Sequence, residues 1–287
     1  MKFRYIWIVI AFLLVAVQLP AQEKLTLLRV SAIPDENPQE LLRIYKPFAK
    51  YLSDQIGIPV KFVPVVDYAA TVEGLAANRL DLVWYGGFTS VQAARRAKGA
   101  KRIIMRKEDA AFKSKFITRK GSGIGSLKNL KGKTFAFGSV SSTSGHLMPR
   151  FFLQQAGINP KKDFSKFAFS GAHDATAAWV EAGRVDAGAL NFLVWDKLVK
   201  NRKVDTSKVE VFWTTPPYVD YVWTIRGGID QDLVKKISKA FLNLDNNKPA
   251  HKKLLKLHRT KGYIPAKDSQ WEGIEKAAIS AGLLKVN

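Results

Sequence analysis

"DYAATVEGLAANRLDLVWYG", residues 67 to 86, has a counterpart 105 positions later in "AHDATAAWVEAGRVDAGALN", residues 172 to 191. The two lie over each other without a gap. Ala70 meets Ala175, Thr71 meets Thr176, Ala77 meets Ala182, Arg79 meets Arg184 and Asp81 meets Asp186. Five identities in 20 positions are modest for alanine-rich segments. The shared order is the stronger signal: helix, tight turn, aspartate, strand. It predicts two lobes built on one plan, each with α and β elements in alternation.

The flanking sequence continues that grammar. "LTLLRVSAI" (25 to 33) reads as a strand, and "NPQELLRIYKPFAKYLSDQIG" as a helix stopped by Gly57, with Pro47 a kink or break. Strand "VKFVPV" follows. After "SLKNLKGK" come strand "TFAFGS", helix "LMPRFFLQQAG" and strand "FSKFAFSG". In mostly parallel sheets ligands bind where strands end and helices begin. Those positions are Tyr68 and His173 at the helix starts, and Tyr85-Gly86 and Leu190-Asn191 at the strand ends.

A third stretch joins them. "FGSVSSTSGHLMPRFFL", residues 137 to 153, carries Ser139, Ser141, Ser142, Thr143, Ser144, Gly145 and His146 between apolar runs. Pro149 is tolerated only near the first turn of a helix, so the helix begins near residues 144 to 147. Free N–H groups and the positive dipole end favour an anion there. A simple N-cap needs only one serine, so the run is read as an anion cradle rather than a cap alone.

Composition narrows the classes. The chain has 287 residues, 47% of them apolar, and no cysteine, which removes disulfides, thiolate metal sites and cysteine nucleophiles. Lys2 and Arg4 precede the apolar run "YIWIVIAFLLVAVQL" and Ala21, the layout of a signal peptide over residues 1 to 21; an uncleaved anchor is the alternative. The formal charge of +22 becomes +20 without Lys2 and Arg4. The lysines are scattered and do not interleave with aromatics as a nucleic-acid platform would, so the excess reads as a solvated surface with a general pull on anions. Four histidines are too dispersed for a metal site. His251 and His258 sit on a polar helix, Trp84 reads as core, and "GSGIG" (121 to 125) lacks the context of a dinucleotide fingerprint.

The phrases "SAIPDENP", "VVDYAATVEGLAA", "DLVWYGGFTSVQA", "LKGKTFAFGSVSSTSGHLMPR", "FSGAHDATAAWVEAGRVDAGALN" and "TTPPYVDYVWTIRG" together resemble the periplasmic phosphate/phosphite/phosphonate-binding proteins of ABC importers. Within that group they are most similar to the branch named for selenate binding. The resemblance covers nearly all the mature chain. It implies a type II periplasmic solute-binding fold: two α/β lobes joined by two hinge crossings, near "KFITRKG" and "EVFWTTPP". The expected segments are 22–116 for the first part of lobe 1, 117–213 for lobe 2, and 214–287 for the return to lobe 1 and the C-terminal helices.

Carried over by position, the family pocket falls on Tyr68, Tyr85, Ser142, Thr143, Ser144, His173 and Asp220, with Ser141, Gly145, His146, Asn191 and Tyr218 beside them. Asp220 comes from the resemblance. Amino-phosphonate binders have an acidic residue after the strand that here ends at Asn191; this chain has Phe192, which favours a ligand without an amine. The expected function is a periplasmic, monomeric, non-enzymatic binding protein without cofactor. It captures a small tetrahedral oxyanion and delivers it to an ABC permease and ATPase. The alternatives are a selenate- or sulfate-type binder, a ligand-sensing module, or an enzyme on the same fold.

Overall fold

Asp81 and Asp186 do the same work in two separate sheets. Asp81 accepts the backbone N–H of Arg29 at 2.8 Å, and Asp186 accepts that of Thr134 at 2.8 Å. Arg29 lies in β1 (Leu28–Ala32) and Thr134 opens β6 (Thr134–Phe137). The turn before each aspartate is left-handed at the matching position, with φ 54° at Asn78 and 68° at Gly183. Asparagine and glycine are the residues that tolerate this region.

In the computed structural model, which describes residues 23–286, the first sheet contains β1, β2 (Val60–Phe62), β3 (Leu82–Tyr85), β4 (Lys101–Arg106), β10 (Val222–Ile225) and β11 (Tyr263–Pro265). Their order is β11-β4-β10-β3-β1-β2. The second sheet contains β5 (Ser114–Arg119), β6, β7 (Lys166–Phe169), β8 (Ala187–Asn191) and β9 (Val209–Thr214), in the order β7-β6-β8-β5-β9. Strands β2-β1-β3 match β7-β6-β8, and each trio is parallel. One antiparallel strand then joins each sheet from across a crossing: β10 beside β3, and β5 beside β8.

Helices α1 (Pro38–Ile56), α2 (Tyr68–Ala76), α3 (Gly87–Arg96), α8 (Gln231–Leu242), α9 (Pro249–Leu257) and α10 (Glu272–Ser280) accompany the first sheet. Helices α4 (Met148–Gln155), α5 (Pro160–Asp163), α6 (His173–Glu181) and α7 (Phe192–Lys200) accompany the second. No helix among the described residues is long and apolar enough to cross a membrane. The stretch read as a signal peptide lies outside the described residues.

Two expectations change. Helix α1 runs unbroken through Pro47. Pro47 faces solvent, where water satisfies the carbonyl its missing N–H leaves free, while Ile44, Tyr45, Phe48 and Leu52 hold the opposite face in the core. The stretches "KFITRKG" and "EVFWTTPP" fall mostly within β5 and β9 rather than between the sheets. Alternation explains it: in β5, Phe116 enters one apolar cluster with Phe135 and Phe137, and Ile117 enters the other with Val180 and Leu190. The chain passes between sheets at 107–113 and 215–221. Phe112 and Tyr218 tie these crossings together, exchanging N–H···O=C bonds of 2.7 and 2.9 Å.

The two aspartates differ in what depends on them. Asp81 also pairs with the Arg29 guanidinium and with Arg226, whose side chain is 3% exposed. Asp186 adds only the Thr134 hydroxyl at 2.7 Å. Asp81→Ala takes the bidentate partner from Arg29 and one of two carboxylates from the buried Arg226, which keeps Glu23 at 2.6 Å; it is expected to cost about 2–4 kcal/mol, whereas Asp186→Ala costs about 1–2 kcal/mol. Urea unfolding of the two variants checks this; equal losses contradict it.

Candidate functional site

Two helix beginnings meet across the space between the sheets. One is α3, entered through Gly86 and Gly87. The other is a turn of π-helix, Thr143–Leu147, that runs into α4. The Phe88 N–H donates to Thr143 Oγ1 at 2.9 Å, and Thr89 Oγ1 donates to the Ser141 carbonyl at 2.8 Å. A Cβ on Gly86 would lie 3.0 Å from Thr143 Oγ1, so glycine sets how close the two ends come. Gly145 allows close packing within its own lobe, where a Cβ would lie 3.0 Å from Ser142 Oγ and 3.1 Å from His173 Cε1.

Ser142 caps the π turn, accepting the Gly145 N–H at 3.0 Å. The amides of Thr143 and Ser144 precede the first intrahelical bond. Ser142 and Thr143 each accept through oxygen, and their hydroxyls stand near Tyr68 and the Asp220 carboxyl, favouring the ionised form of each. Three buried oxygens here make no hydrogen bond of good geometry: Tyr68 Oη, Ser144 Oγ and Asp220 Oδ2, although Ser142 stands near Tyr68, Tyr218 near Ser144 and Thr143 near the Asp220 carboxyl. Buried polar groups are almost always paired, so three together mark a place for something else. Burial first, then the carboxylates of Asp35 and Asp220, push the Tyr68 phenol well above its usual range.

Asp220 sits on the second crossing and is fully buried. Its Oδ1 accepts the Gly87 N–H at 2.8 Å. Burial pushes its carboxyl up to about 7, with the Gly87 hydrogen bond pulling the other way. His173 opens α6 and its N–H donates to the Asp35 carbonyl, on the other lobe, at 3.0 Å. Its Nδ1 lies 3.4 Å from the Asn191 amide, which places the ring proton on Nε2, 3.3 Å from Tyr221 Oη. Burial lowers this imidazole to about 4, so it is neutral near pH 7. The Tyr221 hydroxyl donates to Asp35 Oδ2 at 2.9 Å and accepts from Asn191 Nδ2 at 3.0 Å. Tyr218 Oη lies 2.6 Å from Ser114 Oγ, which donates to the Ser144 carbonyl at 2.7 Å.

The fold thus gathers Tyr68, Ser141, Ser142, Thr143, Ser144, Gly145, His173, Asn191, Tyr218 and Asp220 around one region. Two other candidates have their polar atoms committed elsewhere. The Tyr85 hydroxyl donates to the Thr71 carbonyl at 2.7 Å. His146 has Nδ1 on the Val140 carbonyl at 2.7 Å, while Nε2 accepts from Arg150 at 2.9 Å. Asp35, Tyr221, Gly87 and Trp271 were not singled out from the sequence. Asp35 and Tyr221 lie inside the quoted phrases "SAIPDENP" and "TTPPYVDYVWTIRG"; Trp271 carries no local signal. A separate hollow of about 220 Å³, lined in part by Lys166, Trp179 and Arg184, contains none of the buried unpartnered side-chain atoms found among the described residues.

Further contacts join the lobes at the rim. Asn37 donates through its N–H and Nδ2 to Asp174 Oδ2, both at 3.1 Å. Lys197 of α7 pairs with Glu36 and, at 3.1 Å, with Glu40. Burial, then the nearby Arg259, lowers the Lys197 ammonium to about 7.

Two similar α/β lobes holding a buried, donor-rich site between them define a two-lobed ligand-capturing protein. A family model described as "ABC transporter, phosphonate, periplasmic substrate-binding protein" matches residues 30–271, and the chain belongs to this family. It is 43% identical over 260 residues to a Prochlorococcus marinus protein named "Probable ABC transporter phosphite binding protein PhnD1", covering 87% of this chain and 88% of that one. The solved structure of PhnD1 with methylphosphonate superposes with a TM-score of 0.87 at 40% identity, covering 90% of this chain and 99% of that chain. A phosphonate-transporter binding component from Pseudomonas aeruginosa follows with a TM-score of 0.81 at 25% identity, covering 89% and 86%. The fold is the type II periplasmic binding-protein fold, and the family is one of transporter binding proteins of the periplasm.

A buried carboxyl held at about 7 costs the empty protein stability once it ionises. That cost is absent below the unfolded value of about 4 and is complete above the folded one. Asp220→Asn keeps an oxygen for the Gly87 amide and removes the charge. It is expected to raise the melting temperature of the ligand-free protein by about 3 °C or more at pH 8.5 and by about a third as much at pH 5, one pH unit above the unfolded value. Calorimetric scans at the two pH values check this; a loss at pH 8.5 contradicts it.

Proposed function

We propose that the protein captures a small phosphorus oxyanion of the phosphite or methylphosphonate type between its two lobes and delivers it to an ABC permease and ATPase. The observation that carries this reading is the unpartnered Oδ2 of Asp220, buried beside the unpartnered hydroxyls of Tyr68 and Ser144. Hydroxyls and helix amides suit anionic oxygens. A carboxylate among them is repulsive to a fully ionised anion, and the repulsion grows as water is excluded. It becomes favourable when the ligand brings an O–H, which phosphorus oxyanions retain in part near neutral pH and sulfate and selenate do not. His173, neutral above about pH 5, supplies no charge to offset Asp220. Phe192 packs edge-on against Phe112 at 4.8 Å between ring centroids, so this flank offers no carboxylate to an amine.

The reading takes residues 107–113 and 215–221 as the hinge, the chain as a monomer, and residues 1–21 as the signal that exports it. The protein performs no chemistry on its ligand. One observation favours a sulfate- or selenate-type ligand: a carboxyl near 7 is partly protonated at neutrality and then donates to a dianion. Titration calorimetry at pH 7.5 separates the two readings. Phosphite and methylphosphonate are expected to bind at least tenfold more tightly than sulfate or selenate, with Asp220→Asn compressing the gap. Tighter binding of selenate or sulfate than of every phosphorus compound overturns the reading.

Ser144 tests the cradle. Its hydroxyl is buried and makes no hydrogen bond of good geometry, standing only near enough to Tyr218 to favour that phenol's ionised form, so Ser144→Ala breaks no strong bond. Affinity for methylphosphonate is expected to fall about tenfold, in line with about 1.5–3 kcal/mol for a charge-assisted bond, and the empty protein to keep its melting temperature. Unchanged affinity, measured calorimetrically, removes Ser144 from the site.

A further inference from the structure

Asp220 is held at three points, and the fourth polar atom is the one left free. Its N–H donates to the Asp109 carbonyl at 3.0 Å, and its Oδ1 accepts from Gly87 at 2.8 Å. Its carbonyl accepts the indole N–H of Trp271 at 2.8 Å. Asp109 and Asp220 both lie on the crossings, the segments that flex when two lobes move against each other. Gly87 and Trp271 do not. Trp271 comes from 51 residues further on, in the short turn Asp268–Trp271 that leads into α10, and is 1% exposed.

The indole is itself fixed from both sides. A Cβ on Gly87 would lie 3.1 Å from its Cδ1 and Nε1. The Arg102 guanidinium stands 5.3 Å from the ring centroid and is anchored to Ser90 Oγ and Asp268 at 2.9 Å each. Ser90 belongs to α3, the helix whose first amide holds Asp220 Oδ1. One rigid unit of α3, Arg102 and Trp271 therefore grips Asp220 by its carboxylate and by its backbone. The side chain stays with the first lobe even though its peptide belongs to a hinge.

We propose that Trp271 is a positioning residue for anion recognition: by fixing the Asp220 backbone it aims Oδ2 at the ligand and strengthens binding of an oxyanion that carries a proton. The proposal rests on the reading of Asp220 as the acceptor for the ligand's O–H. A carboxylate with one free oxygen in a closed site has a narrow range of productive orientations, of the order of half an ångström. Without Trp271, Gly87 constrains only Oδ1, and the peptide is held only by the Asp109 carbonyl, itself on a crossing.

A double-mutant cycle tests this, because a residue acting through Asp220 loses its effect when Asp220 is changed, whereas general packing does not. Trp271→Phe keeps the ring and removes the N–H. Calorimetric titration with methylphosphonate is expected to show about a tenfold loss for Trp271→Phe in the wild-type background and less than twofold in the Asp220→Asn background. The preference for methylphosphonate over sulfate should fall toward that of Asp220→Asn alone. Gly87→Ala drives a methyl toward the same joint, 3.3 Å from the Asp220 carbonyl, and serves in the same cycle if Trp271→Phe does not fold. Additive losses in either cycle overturn the proposal while leaving the role of Asp220 intact. Full affinity in Asp220→Asn alone overturns the underlying reading of Asp220, and the proposal with it.

Discussion

Two helix N-termini are brought together in the interior, and neither side of the meeting is satisfied by the other alone. Each presents free amides and the positive end of a dipole. Thr143 Oγ1 answers the Phe88 amide and Asp220 answers that of Gly87. The rest of the molecule follows from this juxtaposition. The repeated helix–turn–Asp–strand unit places Tyr68 and His173 at corresponding helix starts. Gly86 removes the side chain that would keep the ends apart, Gly87 makes room for Trp271 and the Asp220 carbonyl, and Gly145 for Ser142 and His173. The one carboxylate brought in by the second crossing supplies part of the negative charge the site lacks.

The crossings are stiffer than the word hinge suggests. Arg106 and Asp109 form a buried pair at 2.7 Å, and the guanidinium stands about 5 Å from the ring centroids of Trp84 and Tyr221. Burial weighs against the charge on both, but the pair holds the guanidinium above its usual range. The Asp109 carbonyl then takes the Asp220 amide, and Phe112 and Tyr218 exchange backbone bonds. This bracing holds the second passage, with Tyr218, Asp220 and Tyr221 on it, in register against the first.

The sequence made the two-lobe plan legible because its signals are local. The positive-φ residue and the aspartate stand three positions apart in both halves, so one alignment exposes both lobes. The serine run, bounded by Pro149, likewise located the second helix start, with a π turn from Thr143 preceding α4 at Met148. What escaped depends on partners far along the chain. Strands β5 and β9 look like connections until β8 pairs with β5 and β5 with β9. Tyr85 ends a strand beside the site, but only the position of the Thr71 carbonyl shows that its hydroxyl turns toward α2. His146 was decidable nearer home: Arg150, four residues on, lies on the same helix face. Trp271 reaches Asp220 across 51 positions with no pattern to announce it.

The unpartnered oxygens and the contacts between lobes act in opposite directions. Tyr68 Oη, Ser144 Oγ and Asp220 Oδ2 are buried without partners when the lobes touch. Each such group costs about 1–3 kcal/mol relative to one exposed to water or paired. Against that stand the bonds from His173 to Asp35, Asn37 to Asp174 and Thr89 to Ser141, and the ion pairs of Lys197 with Glu36 and Glu40. None of these involves the ligand, so they favour closure whether or not it is present. On the proposed reading, an anion that satisfies the three oxygens removes the opposing cost only in the closed arrangement. Its differential affinity for that arrangement is what shifts the equilibrium. On that reading selectivity and closure have one origin: an anion that fails to pair with Oδ2 would both bind weakly and leave part of the cost of closing in place.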